Sequence, residues 1–174
     1  RGGVPGLGTT MVATGLSTGD GGLSEYVRVK DRQLFPLPDS LSFTQGALVE
    51  PAACAVRAVR LGLVKPGDVV LVTGAGPIGQ LTAMAALAAG AQAVYISEVV
   101  PGRRELAARS LQATGLDPTA TNLPETLREA TEGWAADVVV ECSASPPAFT
   151  APLAATTQGP PLIPLRLPPP GLPR

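Results

Sequence analysis

The feature that most constrains the fold is a glycine-rich turn between an apolar strand and a helix. Residues 69–73 read Val-Val-Leu-Val-Thr, and the next six residues read Gly-Ala-Gly-Pro-Ile-Gly. The alanine-rich stretch that follows predicts a helix over residues 77–89, ended by Gly90. A strand that is apolar on both faces belongs to a sheet covered by helices on both sides. The segment therefore predicts an α/β unit built on a parallel sheet.

The same alternation of strands and helices continues along the chain. Strands are predicted at residues 93–97 and 137–141, and helices at residues 101–113 and 123–131. This order predicts a partial doubly wound (Rossmann) sheet, formed by residues 51–148. Such a half-sheet leaves the edge beside its last strand uncovered, and an uncovered edge pairs with other chains. We therefore expect homo-association.

The segment before the sheet has a less regular pattern. Residues 23–30 alternate apolar and charged side chains, which predicts a half-buried strand. Residues 42–45 (Ser-Phe-Thr-Gln) have the spacing of a capping box and predict the start of a short helix. Pro51 suits the first turn of a second helix, which we expect to end at Gly62.

The last 29 residues differ in composition from the rest of the chain. They hold ten of its 19 prolines and no acidic residue. Proline removes the backbone donors that a central strand needs, so no central strand is expected there. Two explanations stay open for residues 149–174: a polyproline segment that docks onto aromatic grooves, or a stretch translated out of frame or past a splice error.

Composition excludes several classes of function. The chain of 174 residues has no His, hence no Ser-His-Asp triad and no imidazole ligand for zinc. A net charge of −1 provides no field for nucleic acid or anionic lipid. No apolar run reaches the roughly 18 residues of a membrane helix. Cys54 and Cys142 form no Cys-x-x-Cys pair, which favours a reducing, cytoplasmic setting.

The spacing Gly-x-Gly-x-x-Gly between a strand and a helix is typical of dinucleotide-binding sites. Gly74 allows the tight turn, Gly76 lets a pyrophosphate approach the backbone, and Gly79 lets the helix pack closely on the strand. Pro77 and Ile78 begin the helix, whose N–H groups and dipole would face the pyrophosphate. The alternative is a turn that uses glycine only for packing.

An acidic residue follows the second predicted strand. Glu98 lies 19 residues after Gly79, where a carboxylate accepts both hydroxyls of an adenosine ribose and repels a 2′-phosphate. This favours NAD over NADP. Arg103 and Arg104 compete with that interpretation, because an arginine there neutralises a 2′-phosphate, although exposed charges in a helix's first turns are the simpler explanation. Arg103 is also placed to lie along the adenine.

Several stretches together resemble the zinc-dependent alcohol and polyol branch of the medium-chain dehydrogenase/reductase superfamily. They are residues 19–27 (Gly-Asp-Gly-Gly-Leu-Ser-Glu-Tyr-Val), 46–51 (Gly-Ala-Leu-Val-Glu-Pro), 65–68 (Lys-Pro-Gly-Asp) and 137–143 (Asp-Val-Val-Val-Glu-Cys-Ser). The resemblance covers about residues 15–150. It implies an NAD-dependent oxidoreductase acting on CH–OH groups of small alcohols or polyols such as butanediol or sorbitol. It also implies that residues 1–50 are the end of a GroES-like catalytic domain.

The resemblance further implies a catalytic zinc, and Glu50 matches the family's glutamate beside or on that metal. A carboxylate next to Gly-Ala-Leu-Val is costly to bury without a cation or donors. The alternative for Glu50 is stabilisation by the helix dipole. The family's Cys and His–Glu ligands have no match here, so we expect a fragment that is inactive by itself. Where the family has Ser-Gly, the chain has Ser143-Ala144, and the added methyl group is expected to crowd the cofactor.

Other functions stay open beside this one. One alternative is a zinc-free quinone reductase of the same superfamily. That branch lacks the zinc-side carboxylate that Glu50 matches, and it mostly uses NADP, which Glu98 disfavours. A methyltransferase loop usually carries an acidic residue just before its glycines, where this chain has Val72-Thr73. A non-catalytic fragment that binds NAD or ADP, and a degraded gene product, both fit the sequence.

Overall fold

The structure, a computed structural model, describes residues 15, 21–145 and 162–165. The chain divides into two units, Arg1–Ser42 and Phe43–Arg174. Among the described residues of the first unit, the only helix is a short 3₁₀ helix at Asp31–Gln33, and residues 22–42 are exposed. The strand predicted at residues 23–30 is wrong. An alternating pattern forms a strand only when neighbouring backbone pairs with it, and no described strand does so.

The second unit contains five helices and five strands within its described residues. The helices are α1 (Phe43–Gly46), α2 (Val49–Leu61), α3 (Pro77–Ala88), α4 (Pro101–Leu111) and α5 (Leu123–Ala130). The strands are β1 (Val69–Thr73), β2 (Ala93–Ser97), β3 (Thr114–Leu116), β4 (Val138–Glu141) and β5 (Leu162–Pro164). No helix in the described part of the chain is long and apolar enough to cross a membrane.

The five strands form one parallel sheet in the order β3-β2-β1-β4-β5. These are five of the six strands of the doubly wound order 3-2-1-4-5-6, so the predicted α/β class and partial Rossmann sheet are confirmed. The direction in which strands are added reverses between β1 and β4. Ligands of doubly wound sheets bind at such a switch point, outside the carboxyl ends of the strands. The glycine turn after β1 lies at this point.

Successive residues of the strands pack into cores on opposite faces of the sheet. Val70 and Val72 belong to a cluster with small residues of α2 and α3, such as Ala58 and Ala83. Leu71 belongs to a second cluster, which includes Leu127 of α5. All three β1 side chains are fully buried. This two-sided burial explains why the strand is apolar throughout.

Most element bounds agree with the sequence predictions to within two residues. The helix predicted from Pro51 begins two residues earlier, at Val49. The helix predicted to end at residue 113 ends at Leu111, followed by Gln112 in the left-handed conformation (φ 54°). The residues expected only to end that helix form β3, which pairs with β2.

The described residues of the Pro-rich end of the chain form a strand. Residues 162–165 place β5 beside β4, with Val140 opposite Ile163, and Ile163 packs against the first core cluster. The predicted uncovered edge beside β4 is therefore wrong, because β5 covers it. Pro164 lies in an edge strand, where a missing donor costs least. The other residues of the 149–174 segment lie outside the described residues, so both explanations of that segment stay predictions.

Candidate functional site

The glycine turn joins β1 to α3 with little space to spare. Gly74 has a φ of +90°, a conformation that L side chains rarely adopt, and its N–H donates to the carbonyl of Ser97 at 2.7 Å. A Cβ at Gly74 would lie 3.1 Å from the backbone nitrogen and Cα of Ser143. Glycine is thus required here both for backbone conformation and for the close approach of the turn after β4.

The other two glycines of the motif differ from each other. A Cβ at Gly79 would lie 1.8 Å from the carbonyl oxygen of Gly74, whereas a Cβ at Gly76 would meet nothing within 4 Å. The tight turn at Gly74 and the close helix packing at Gly79 are therefore as predicted. Open space at Gly76 fits the approach of a ligand to the backbone, which stays a prediction.

The start of α3 faces the same turn. Pro77 occupies the first helical position and is exposed, and Ile78 is half-buried. The first N–H groups of a helix have no partner within it, and together with the helix dipole they favour an anion. The Gln80 side chain donates to the carbonyl of Ala75 at 3.0 Å, which ties the turn to the helix.

Glu98 follows β2 and holds the turn from one side. Its side chain is buried, with 7% exposed. One carboxylate oxygen accepts from the N–H of Ala75 at 2.8 Å, and the other accepts from the N–H of Val100 at 2.9 Å. A carboxylate offers about four lone-pair positions, so two remain for further donors such as ribose hydroxyls. The sequence predicted Glu98 as a ligand contact and missed its bond to the turn.

The two arginines of α4 have different surroundings. Arg104 donates to the carbonyl of Glu98 at 2.7 Å and forms an ion pair with Asp117 at 3.1 Å. The sequence interpretation of both arginines as exposed charges is correct for Arg103, which is exposed. It is wrong for Arg104, which is half-buried and has partners. Hydrogen bonds from the Thr119 hydroxyl and N–H, together with Arg104, hold the pKa of Asp117 below its ordinary value. The role of Arg103 along the adenine stays a prediction.

The turn after β4 lies on the other side of the glycine turn from Glu98, and the region bounded by Glu98, the glycine turn and Ser143 is called the crevice here. Glu141 is fully buried, and one of its oxygens accepts from the N–H and the hydroxyl of Ser143, each at 2.6 Å. Ala144 follows with a left-handed φ of 56°. Cys142 is half-buried, with its Sγ 3.8 Å from the hydroxyl of Thr82. Sequence reasoning missed Glu141, although a carboxylate directly after Val-Val-Val was a signal that could have pointed to it.

Replacing Ala144 by Gly is expected to raise the free energy of unfolding by about 1 kcal/mol, because the left-handed conformation costs an L residue roughly that much. Thermal or urea unfolding measures this change. Ala108→Gly, at an exposed position inside α4, is the matched control and should lower stability instead. A loss of stability in Ala144→Gly would show that the methyl group at residue 144 makes a contact that outweighs its strain.

The predicted metal residue lies on α2, an element that contributes no residue to the glycine turn. Glu50 is exposed in the first turn of α2, so the cost of burial does not arise, and its position fits the helix-dipole alternative. The described residues contain no group of three His, Cys, Asp or Glu side chains that could hold a metal ion. The residues present do not fit a zinc ion, and the metal role of Glu50 stays a prediction.

A cavity of about 390 Å³ opens at the opposite end of the sheet, where the strands begin. Its walls include Val69, Tyr95 and Trp134, and none of the predicted site residues lines it. The glycine turn at the carboxyl ends of the strands therefore remains the candidate site.

Comparison with known proteins points to one family of dehydrogenases. Residues 77–161 match a family model described as zinc-binding dehydrogenase. The chain is 42% identical over 153 residues to (R,R)-butanediol dehydrogenase of Bacillus subtilis, covering 87% of this chain and 43% of that protein. It is 30% identical over 141 residues to sorbitol dehydrogenase of the same organism, covering 80% of this chain and 40% of that protein.

A solved structure agrees with the fold as well. A zinc-binding dehydrogenase from Sinorhizobium meliloti, bound to NADP, superposes with a TM-score of 0.80 at 33% identity, covering 88% of this chain and 45% of that one. These matches define a class of α/β oxidoreductases. The chain belongs to the zinc-dependent medium-chain dehydrogenase/reductase family. It spans less than half the length of the relatives described here.

Proposed function

We propose that the chain is the nucleotide-binding part of an NAD-dependent alcohol or polyol dehydrogenase. The observation that carries this proposal is the glycine turn from Gly74 to Gly79 at the switch point between β1 and β4, with the carboxylate of Glu98 bonded to the same turn. A site of this geometry suits a molecule with a pyrophosphate and a neighbouring ribose.

Each part of the crevice has a separate task in binding. The open backbone at Gly76 admits the pyrophosphate, and the N–H groups at the start of α3 donate to it. Glu98 accepts from the adenosine ribose hydroxyls with its remaining lone pairs. Bound NAD supplies a nicotinamide ring that takes up a hydride from the carbon of a CH–OH group. The residues of this chain hold and orient that cofactor.

The choice of NAD over NADP depends on Glu98. A buried carboxylate beside the ribose would meet a 2′-phosphate with like charge. Arg104 is engaged with Asp117, which leaves Arg103 alone to offset that repulsion. The relative from Sinorhizobium meliloti was solved with NADP, so the preference needs a direct test.

The substrate class comes from the relatives. Two of them are named for butanediol and sorbitol, which supports a small alcohol or polyol. Zinc, with Glu50 beside or on it, belongs to this proposal for the complete enzyme. The described residues hold no metal site, so we derive no step through zinc. We also propose a cytoplasmic protein. The predicted association with copies of itself loses its argument, because β5 covers the edge beside β4.

Two observations favour a second candidate, a non-catalytic fragment that binds NAD or ADP. The sequence lacks His, and the described residues bring together no metal-ligating group. In that case the crevice holds the nucleotide and no alcohol reacts. The two candidates share the nucleotide site and differ only in turnover.

Calorimetric titration of the 174-residue chain with NAD, NADP and ADP tests the proposal. We expect NAD to bind at submillimolar concentration, more tightly than NADP, and to raise the unfolding temperature. With zinc and either 2,3-butanediol or sorbitol, no NADH should form. Absence of NAD binding at millimolar concentration would overturn the nucleotide site. Zinc-dependent NADH formation would overturn the expectation that this chain is inactive.

A further inference from the structure

Glu141, the last residue of β4, has an unusual set of contacts. Its side chain is fully buried. A single carboxylate oxygen, Oε1, accepts from the Ser143 N–H and hydroxyl at 2.6 Å each, the Ala144 N–H at 2.9 Å and the Thr73 hydroxyl at 3.3 Å. Oε2 is buried and has no hydrogen-bond partner within the described part of the chain.

Packing alone does not explain a carboxylate at this position. The preceding residues Val138, Val139 and Val140 are buried apolar side chains, and an apolar residue of similar volume would continue the strand without the cost of burying a charge. The hydrogen bonds of Glu141 go mainly to the turn that follows. Its carboxylate therefore fixes the conformation of Ser143 and Ala144, including the left-handed backbone of Ala144.

The turn that Glu141 fixes forms one wall of the crevice. A Cβ at Gly74 would lie 3.1 Å from three atoms of Ser143, so the turns after β1 and β4 touch each other. Glu98 holds the glycine turn from the β2 side through Ala75. In a doubly wound sheet, the adenosine half of a dinucleotide lies on the β2 side of the glycine turn and the other half lies on the β4 side.

We infer that Glu141 is a positioning residue for the half of the dinucleotide beyond the pyrophosphate. It acts through Ser143 and Ala144, whose turn it holds against Gly74. The inference rests on the proposed function and extends it to one more residue. It requires that Glu141 matter for NAD and not for ADP, which lacks that half.

Two variants separate this role from general support of the fold. Glu141→Met approximately keeps the side-chain volume at this position of the strand. It removes the carboxylate oxygens that accept hydrogen bonds from Ser143 and Ala144. Glu141→Gln keeps one oxygen that can accept from Ser143 and Ala144. Calorimetric titration with NAD and with ADP gives both affinities for each full-length variant, and circular dichroism reports the thermal unfolding of the same samples.

In Glu141→Met we expect NAD affinity to fall about tenfold or more, since several hydrogen bonds to a charged acceptor are lost. ADP affinity should stay within about twofold of the original chain, because its proposed contacts are Glu98, Gly76 and the start of α3 and do not include the turn after β4. Glu141→Gln should recover most of the NAD affinity. An equal loss for both nucleotides, or no loss for either, would overturn the inference alone. An original chain that binds neither nucleotide would overturn the proposed function and this inference with it.

Discussion

Replacing Gly79 by Ala is expected to lower the free energy of unfolding by about 3 kcal/mol. The new Cβ would lie 1.8 Å from the carbonyl oxygen of Gly74 and 2.9 Å from its carbonyl carbon. Both are backbone atoms, so no side-chain rotation relieves the overlap, and α3 must move away from β1. Thermal unfolding followed by circular dichroism should show a midpoint lower by roughly 10 °C.

Two other glycines provide matched controls. Gly102→Ala adds a Cβ that meets nothing within 4 Å in α4, so the variant should be at least as stable as the original chain. Gly76→Ala also has space and keeps an extended backbone (φ −69°, ψ −179°), so its stability should change by less than about 0.5 kcal/mol. Its added methyl group occupies the approach of the pyrophosphate, and NAD affinity should fall at least about tenfold. Equal stability of the Gly79 and Gly76 variants would contradict this division of roles.

The regular elements around the glycine turn were predictable because their signals are local. β1 and β4 are runs of Val and Leu, and Pro and Gly mark both ends of α3. β3 was missed because Thr-Gly-Leu carries no period over three residues, and only pairing with β2 makes it a strand. The opposite error at residues 23–30 has the same cause. Strand formation depends on a neighbour that a local pattern does not contain.

The candidate site was predictable in part for a similar reason. The spacing of Gly74, Gly76 and Gly79 and the distance to Glu98 are features of the sequence. The partners of Arg104 and Glu141 are features of the fold. Arg104 pairs with Asp117 only because β3 lies beside β2, and Glu141 meets the Thr73 hydroxyl only because β4 lies beside β1.

The second large effect is expected at Glu98, where Glu98→Gln should change the ratio of the NAD and NADP dissociation constants by at least about tenfold toward NADP. The carboxylate is buried and already bonded to Ala75 and Val100. Glutamine keeps one oxygen and replaces the other by an amide donor, so the ribose loses an acceptor and NAD binds less tightly. A 2′-phosphate no longer meets a negative charge. Titration of the variant with both nucleotides measures the ratio.

Further variants identify charge as the cause. Glu98→Asp keeps the negative charge and should still disfavour NADP, even where the shorter side chain weakens binding of both nucleotides. Glu105→Gln removes an exposed charge from α4 and should leave the ratio unchanged. Adding Arg103→Ala to Glu98→Gln should weaken NADP more than NAD, because a contact of Arg103 with the adenine is common to both nucleotides and a 2′-phosphate is present only in NADP. If Glu98→Asp and Glu98→Gln gave the same ratio, the selectivity would come from the shape of the turn rather than from the charge of Glu98.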